Sequence, residues 1–490
     1  MKAISIVLLF LCSGSYSQII EQGPPTKAAS GDRNFLGKTQ DKFFVYVNWG
    51  DDHHIERYDT KALTLEFSKK FSLKNESIRK DLYKHRVFFT GSSFVVFGSY
   101  LFKEESRNVL YAKAFDIDGK EIEDWKEVGE IFARGITIEY NAETGNILVV
   151  TDHHDGEGDE SFSLILFDGK LKELARKRVQ LDYKEATARI WQVLLHRDGS
   201  VYMLNRLEDE EKTAKAKKQN IQEPNVFMLY RFSFQSEERE EYEMILDGIL
   251  PWNSVMKIHV GDNITLAGLY MKSDNTGFRG TLHASVDAKT RRVKVTIHPF
   301  DDLFVKEIIG EKKFNKGEFL PATHSLNFFQ VNSDGSCMLV AENSYYNMGS
   351  GTHGTSSTYT HENLIVARIE KDGSLKWHRN IPKKSYGWLS EPMSSTIVKD
   401  DGSLALLILD HKRSYRKGSR DNKVRQVVDF KKALTVLVNI DKDGAVSYKP
   451  LIDNRQQDIL LLLSEYIQTA KDTLVIMTRG RKPGLLRVTF

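Results

Sequence analysis

The sequence predicts an all-β fold, a β-propeller of four-stranded antiparallel blades, eight of them or seven. Three observations carry that expectation. The first is the unit Leu326–Pro382. Its strands are Leu326–Val331, Cys337–Ala341, Glu362–Ile369 and Leu375–Ile381, with tight turns at Asp334-Gly335 and Asp372-Gly373 and a long polar segment between the middle pair. Asp-Gly between apolar runs marks a hairpin, because glycine accepts the backbone conformation that a short turn needs. The second is recurrence. Asp-Gly-Ser stands at 198–200, 334–336 and 401–403, at the first turn of a unit, and Asp-Gly at 118–119, 168–169, 372–373 and 443–444, at the second. The third is spacing, since the units follow one another at roughly 50–60 residues, a period that belongs to propellers and solenoids.

The 490 residues are 40% hydrophobic and 28% charged, the composition of a globular protein. A formal charge of +3 with dispersed basic residues points away from nucleic acid. Residues 1–17 read as a secretory signal peptide: Met1-Lys2, the apolar run Ala3–Cys12, then small residues through Ser17 before Gln18. A lipoprotein anchored through Cys12 is disfavoured by Leu11, where glycine or alanine is wanted. The apolar run is also shorter than the ~20 residues of a spanning helix. The expected mature chain is 18–490, one propeller domain without a transmembrane segment, exported to the periplasm, the cell surface or the medium. Cleavage leaves Cys337 alone, so no internal disulfide is expected and the core must hold the fold.

Gln18–Asp32 is polar and offers only Ile19-Ile20 to a sheet. Unit one reads Phe43–Asn48, a loop Trp49–His54, Ile55–Tyr58 and Leu63–Leu73. Unit two runs from His85 to Ile131, unit three from Gly135 to Leu181, unit four over Ala188–Leu246 and unit five over Val255–His298. A connection, Asp301–Leu320, carries a short helix at Asp302–Ile309 and leads to unit six. Unit seven spans Ser394–Leu451. Ile459–Ile467, Thr473–Met477 and Leu485–Phe490 then give three strands and no fourth. A propeller closes its ring by lending a terminal strand to the last blade, which removes two raw sheet edges. The segment around Ile19–Glu21 is the candidate. That count gives eight blades; merging the first and last units gives seven. Two stacked β-sandwiches would need a central linker, and Asp301–Leu320 is the nearest approach to one.

In such a register the short Asp-Gly hairpins share one face. The long insertions after second strands, Leu207–Pro224, Glu342–His361 and Asp410–Lys432, share the other, as expected of a binding surface. Three clusters lie there. His53 and His54, beside Asp51-Asp52, and His153, His154 and Asp155 pair imidazole with carboxylate, which suits a divalent cation; solvated loop residues are the competing reading. Tyr345, Tyr346, His353 and Tyr359 sit in a Tyr/Asn/Ser/Gly-rich stretch, the composition of an adaptable contact surface for sugars or peptides. Arg413, Arg416 and Lys417, with Lys412, Arg420, Lys423 and Arg425, make a basic loop for an anionic partner.

No Gly-x-Ser-x-Gly elbow, His-Glu-x-x-His, P-loop or dinucleotide fingerprint is present. Asp372-Gly373-Ser374-Leu375-Lys376-Trp377 and, less closely, Asp443-Gly444-Ala445-Val446-Ser447-Tyr448 resemble the repeats of bacterial exported β-propellers of the quinoprotein-like kind. The Gly-to-Trp signature stands cleanly once, so the resemblance implies the architecture and brings no cofactor and no functional residue. Two function classes follow. One is a non-enzymatic binding or scaffold propeller for a protein or carbohydrate, using the long-loop face. The other is a polysaccharide-acting hydrolase or lyase at the channel mouth of that face, since paired carboxylates need no local motif.

Overall fold

The computed structural model describes residues 19–24, 32–131, 135–152, 159–184, 188–207, 224–259, 263–272, 277–287, 290–351, 354–387, 393–416, 419–421, 423–480 and 484–490. Eight four-stranded antiparallel sheets follow one another as the blades of a propeller, seven of them with their strands in sequence order from inner to outer edge. Blade 1 is Asp32–Lys38, Lys42–Trp49, Asp52–Asp59 and Leu65–Phe71; blade 2 runs from Tyr83–Phe89 to Glu121–Glu130. Blade 3 begins with Ile136–Tyr140, blade 4 with Ala188–Leu195, blade 5 with Ile249–Ile258, blade 6 with His324–Val331 and blade 7 with Ser394–Val398. Blade 8 takes Ile459–Ala470, Thr473–Gly480 and Gly484–Thr489 from the C-terminus and its outer strand, Ile19–Gln22, from the N-terminus. Ile19 pairs with Thr489 and Gln22 with Leu486. The missing fourth strand is therefore the one expected, and the seven-blade count falls.

Each blade is buried on both faces, so its middle strands read as continuous apolar runs. Phe94–Phe97, Leu404–Leu409 and Val436–Val438 are all buried. The core is a ring of inter-blade layers. Phe44, Phe89 and Phe94 fill the layer between blades 1 and 2, Trp377, Leu406 and Val438 that between 6 and 7, and Phe43, Leu461 and Met477 help to close the circle. Cys337 lies within such a layer, and burial pushes its thiol up to about 12, in keeping with a small buried hydrophobe.

The Asp-Gly turns lie where the sequence put them. Gly119, Gly199, Gly335, Gly373, Gly402 and Gly444 all have positive φ. The aspartate works as well as the glycine: Oδ1 of Asp198, Asp334, Asp372 and Asp401 each accepts the N–H two residues on, at 2.7–2.9 Å. Gly169 differs. Leu171 carries the positive φ there, and Gly169 is needed for contact, since a Cβ would meet Thr90 Oγ1 at 2.6 Å. Turns of one blade are grasped by side chains of the blade before it. Lys126 Nζ donates to Leu171 O at 2.6 Å, Lys177 Nζ to Ser233 O at 3.0 Å, His298 Nε2 to Gly373 O at 2.6 Å, and Arg379 Nε to Gly444 O at 2.7 Å. Trp377 Nε1 reaches Lys442 O at 3.1 Å, which gives that aromatic its role.

Three readings need correction. Blade 1 has an additional inner strand, Asp32–Lys38, and Trp49–His54 is no loop: Gly50-Asp51 turns directly into Asp52–Asp59. Glu342–His361 is no loop either. Cys337–Gly351 and Gly354–Ile369 form one long hairpin, because a Tyr/Thr/Ser run takes up β-structure once a partner strand is in register. Asp410–Lys432 is a folded segment with 3₁₀ turns at Lys412–Tyr415 and Phe430–Lys432. The helix at Asp302–Ile309, here α1, has the expected bounds, with Asp301 capping Phe304 N–H at 2.8 Å. No helix among the described residues is long and apolar enough to cross a membrane.

Candidate functional site

On the long-loop face the hairpin of blade 6 rises past its own inner strand. Pairing with the inner strand ends at His324 and Asn343, whereas pairing with the third strand continues to Gly351 and Gly354. Register shifts at Glu342/Asn343 and Glu362/Leu364 mark the base of the raised part. The outer strand Leu375–Gly387 follows it as far as the pair Tyr359–Gly387.

A buried ion pair roots this arm. Glu342 and Lys383, with side chains 0% and 1% exposed, meet at its base. Asn327 Nδ2 donates to Glu342 Oε2 at 2.9 Å, Ser394 Oγ at 3.1 Å, and the Met393 N–H bonds the same carboxylate. Lys383 Nζ also donates to Met393 O at 2.9 Å. Burial lowers the pKa of Lys383, and the Glu342 charge opposes that shift. Among the described residues, the donors around this carboxylate come from blade 6 or the start of blade 7, so the pair binds the two blades where the arm leaves them.

Strand alternation sorts the predicted tyrosines onto two faces. Tyr346 and Tyr359 oppose each other with ring centroids 5.2 Å apart, and Tyr346 and Met348 are 46% and 70% exposed. Tyr345 lies on the other face, where its OH donates to Glu362 Oε1 at 3.3 Å beside Lys384 Nζ at 2.6 Å. Thr358 Oγ1 to Tyr386 OH at 2.9 Å and Asn347 Nδ2 to Thr360 Oγ1 at 2.8 Å complete that polar face.

The basic segment clasps the arm from outside. Val427 N–H donates to Lys384 O at 2.9 Å, and Val427 O accepts the Tyr386 N–H at 2.8 Å. Phe430 fits against Gly387, where a Cβ would meet its ring at 2.6 Å. A second buried pair holds the segment. Arg420 Nε donates to Asp410 Oδ2 at 2.7 Å, its Nη2 to Pro382 O at 2.6 Å, and its guanidinium lies 4.6 Å from the Tyr448 ring centroid. Arg420 is 7% exposed and Asp410 2%. Arg413 and Arg416 stay at the surface, as do Val424 and Val428, which are 39% and 66% exposed. Lys417 and His353 lie outside the described residues.

The histidine cluster divides differently. His53 is buried, with Tyr46 OH at 2.6 Å from Nδ1 and the Tyr46 ring stacked on it, while His54 faces Ser68 at 3.2 Å. Successive strand residues point to opposite faces, so the two do not converge. His153, His154 and Asp155 lie outside the described residues. Among those described, no three His, Cys, Asp or Glu side chains are grouped to hold a metal ion. Sequence reasoning placed Arg420 in the basic loop without its buried role and missed Glu342, Lys383 and Asp410. Each looked like an ordinary surface charge, and the one cue was a charged residue at the end of an apolar run.

No protein-family model matches the chain, and no curated protein does. Solved propellers do. The Dos1 propeller is 7% identical over 96% of this chain and 95% of its own, with a TM-score of 0.45. The β-propeller domain of the Trilobed protease from Pyrococcus furiosus is 11% identical over 86% and 98%, with a TM-score of 0.37. A post-proline cleaving enzyme from Rickettsia typhi is 9% identical over 91% of this chain and 57% of its own, with a TM-score of 0.39. None of these likenesses assigns a role to a residue of this chain.

Proposed function

We propose that the protein is an exported, non-enzymatic binding propeller that docks a protein partner on the lobe formed by the arm and the basic segment. One observation carries the reading: a hairpin lifted clear of the ring shows Tyr346, Met348 and Tyr359 on one side while buried ion pairs hold it in place. Tyrosine, methionine and arginine are enriched in interface cores, and a surface already ordered loses little entropy on binding. Arg413 and Arg416 add a basic rim that favours an acidic partner and a salt-sensitive on-rate.

The test is photocrosslinking from position 348 in the exporting cell. A discrete adduct that disappears when Tyr346 and Tyr359 are replaced by alanine is expected. No adduct, or one indifferent to both replacements, overturns the lobe as the docking surface. New reducing ends or unsaturated products from incubated glycans would overturn the non-enzymatic part in favour of the hydrolase or lyase. Export is checked by N-terminal sequencing of the mature protein, which is expected to begin at Gln18.

A further inference from the structure

We propose a second binding site, apart from the lobe: a sugar platform made by Trp252 with Trp191 at the inner edge of the ring between blades 4 and 5.

Six inner strands carry a register shift. In blades 1, 2 and 6 one residue is skipped, Leu36, His85 or Asn327, and each is occupied within the protein. Leu36 packs in the layer between blades 1 and 2, His85 bonds Ser99 Oγ at 2.7 Å, and Asn327 bonds Glu342. Blade 4 skips Trp191 and blade 8 skips residues 463–465, none of them exposed. Blade 5 is different in that a skipped residue, Trp252, is exposed. Its shift skips two residues between Leu250 and Asn253, and the pair thrown out is Pro251-Trp252. Bulges re-aim side chains and concentrate beside functional sites.

The second strand is built to allow this bulge. A Cβ on Gly268 would lie 2.0 Å from Asn253 O and 2.4 Å from Ser254 Cα, so any side chain there would push the bulged strand away. The bulge is braced from both sides. Ser254 Oγ donates to Pro251 O at 2.8 Å, Gln192 Nε2 donates to Ser254 O at 2.6 Å, and Gln192 Oε1 accepts the Met256 N–H at 2.7 Å. Asn253 Nδ2 bonds His324 O on blade 6.

The result is a rigid aromatic corner. Trp191 rests edge-on against buried Phe227 at 5.7 Å, and Trp252 stands at 65° to Trp191 with centroids 6.1 Å apart. Trp252 nevertheless leaves 46% of its surface to solvent, and it lies in the part of the strand nearest the long-loop face. An exposed indole offers a flat apolar face and one N–H donor at its edge. The side chains that brace it, Gln192, Asn253 and Ser254, are neutral. A quaternary ammonium calls for an enclosing cage of aromatic faces and a polyproline segment for a row of aromatic grooves, whereas the two indoles form one open corner. A hexose ring, apolar across its C–H face and rimmed by hydroxyls, matches a neutral corner with one donor.

The experiment titrates the full chain with maltotriose, cellotriose and triacetylchitotriose to about 10 mM, where even millimolar affinity saturates a site. Tryptophan fluorescence and saturation-transfer NMR on the sugar are read together. At least one sugar is expected to saturate. Trp252→Ala should weaken it about tenfold or more, and Trp252→Phe, which keeps a face but loses the donor, should fall between. Trp252 is half exposed, so both variants are expected to fold. A Tyr346→Ala/Tyr359→Ala variant should bind the sugar unchanged, which separates this site from the lobe. No saturable binding of any of the three, or binding indifferent to Trp252→Ala, overturns the platform.

Discussion

The two faces of the ring solve one problem, joining each blade to the next, by different chemistry. On the hairpin face, turns only a few residues long are held by single donors reaching backbone carbonyls, as Lys126, His298 and Arg379 do. On the long-loop face over blades 6 and 7, two ion pairs are buried whole, Glu342–Lys383 and Asp410–Arg420. A neutral carbonyl contact can be lost with modest cost. A buried charge that loses its partner cannot shed its desolvation penalty. The long-loop face should therefore fail by single substitutions and the hairpin face by degrees.

The largest effect is expected at Lys383. Lys383→Met leaves the fully buried carboxylate of Glu342 without its main partner, a loss of about 3–5 kcal/mol. Denaturant unfolding measures it. Adding Glu342→Leu to the same chain should recover part of the loss, because two apolar groups need no partners, while Asn327, Ser394 and the Met393 N–H lose their acceptor. If the single variant unfolds like wild type, the contrast between the faces is lost.

Arg420 sharpens the comparison within one segment. Arg420→Met should cost about 3 kcal/mol, since it strands buried Asp410 and releases Pro382 O. Exposed Arg413→Ser and Arg416→Ser should each stay within about half a kcal/mol. The sequence showed a uniform run of basic residues there. It could not show that one arginine of the run folds back under the others.

That difference marks how far the chain could be read. Blades 2, 3, 4, 6 and 7 were legible because Asp-Gly turns punctuate them at fixed places, and blade 5, which has none, from its place in the period. Closure was legible because the C-terminus lacked one strand. The inner strand Asp32–Lys38 was not, because Arg33 and Asn34 break its alternation; only the fold shows Arg33 paired with Glu56 and Tyr58 OH at 2.7 Å. Lys383 reads as one of two adjacent solvent lysines, and Glu342 stands 41 positions away. Trp252 was passed over because Pro251-Trp252 interrupts an apolar run without forming a motif.

Acid probes both faces. His283, beside the Gly373 turn, and His324, at the long-loop end of blade 6, are each held down to about 4, burial being the main cause. Neighbouring His298, Lys294 and His259 push His283 further down against Asp372. Around His324, Glu342, Glu362 and the Pro321 carbonyl act the other way. A histidine with a lowered folded pKa keeps its stability above the unfolded value of about 6.5 and loses it as pH falls toward the folded value. At pH 5 the loss should be about 2 kcal/mol for each histidine. Unfolding at pH 7 and pH 5 in His283→Asn and His324→Asn reads them separately. A variant with the wild-type pH slope would remove its histidine from the account.

Among contacts that hold the fold, the smallest effect belongs to the turns. Asp401 accepts the Ser403 N–H at 2.9 Å and the Ser403 hydroxyl at 2.5 Å, and these bonds lower its pKa. Asp401→Ala removes the acceptor from an exposed turn whose glycine still supplies positive φ, and Arg368 Nη1 still reaches Gly402 O at 3.3 Å. Water replaces what is lost, so the expected cost is about 1 kcal/mol, the size of a helix cap. The same change at Asp334 or Asp372 should cost about as much, because the Asp-to-Ser geometry repeats there at 2.9 Å. Three equal small losses would show the hairpin face to be additive and local. A loss at Asp401 matching that at Lys383 would mean that turn and blade interface melt as one unit, and the division between the faces would fail.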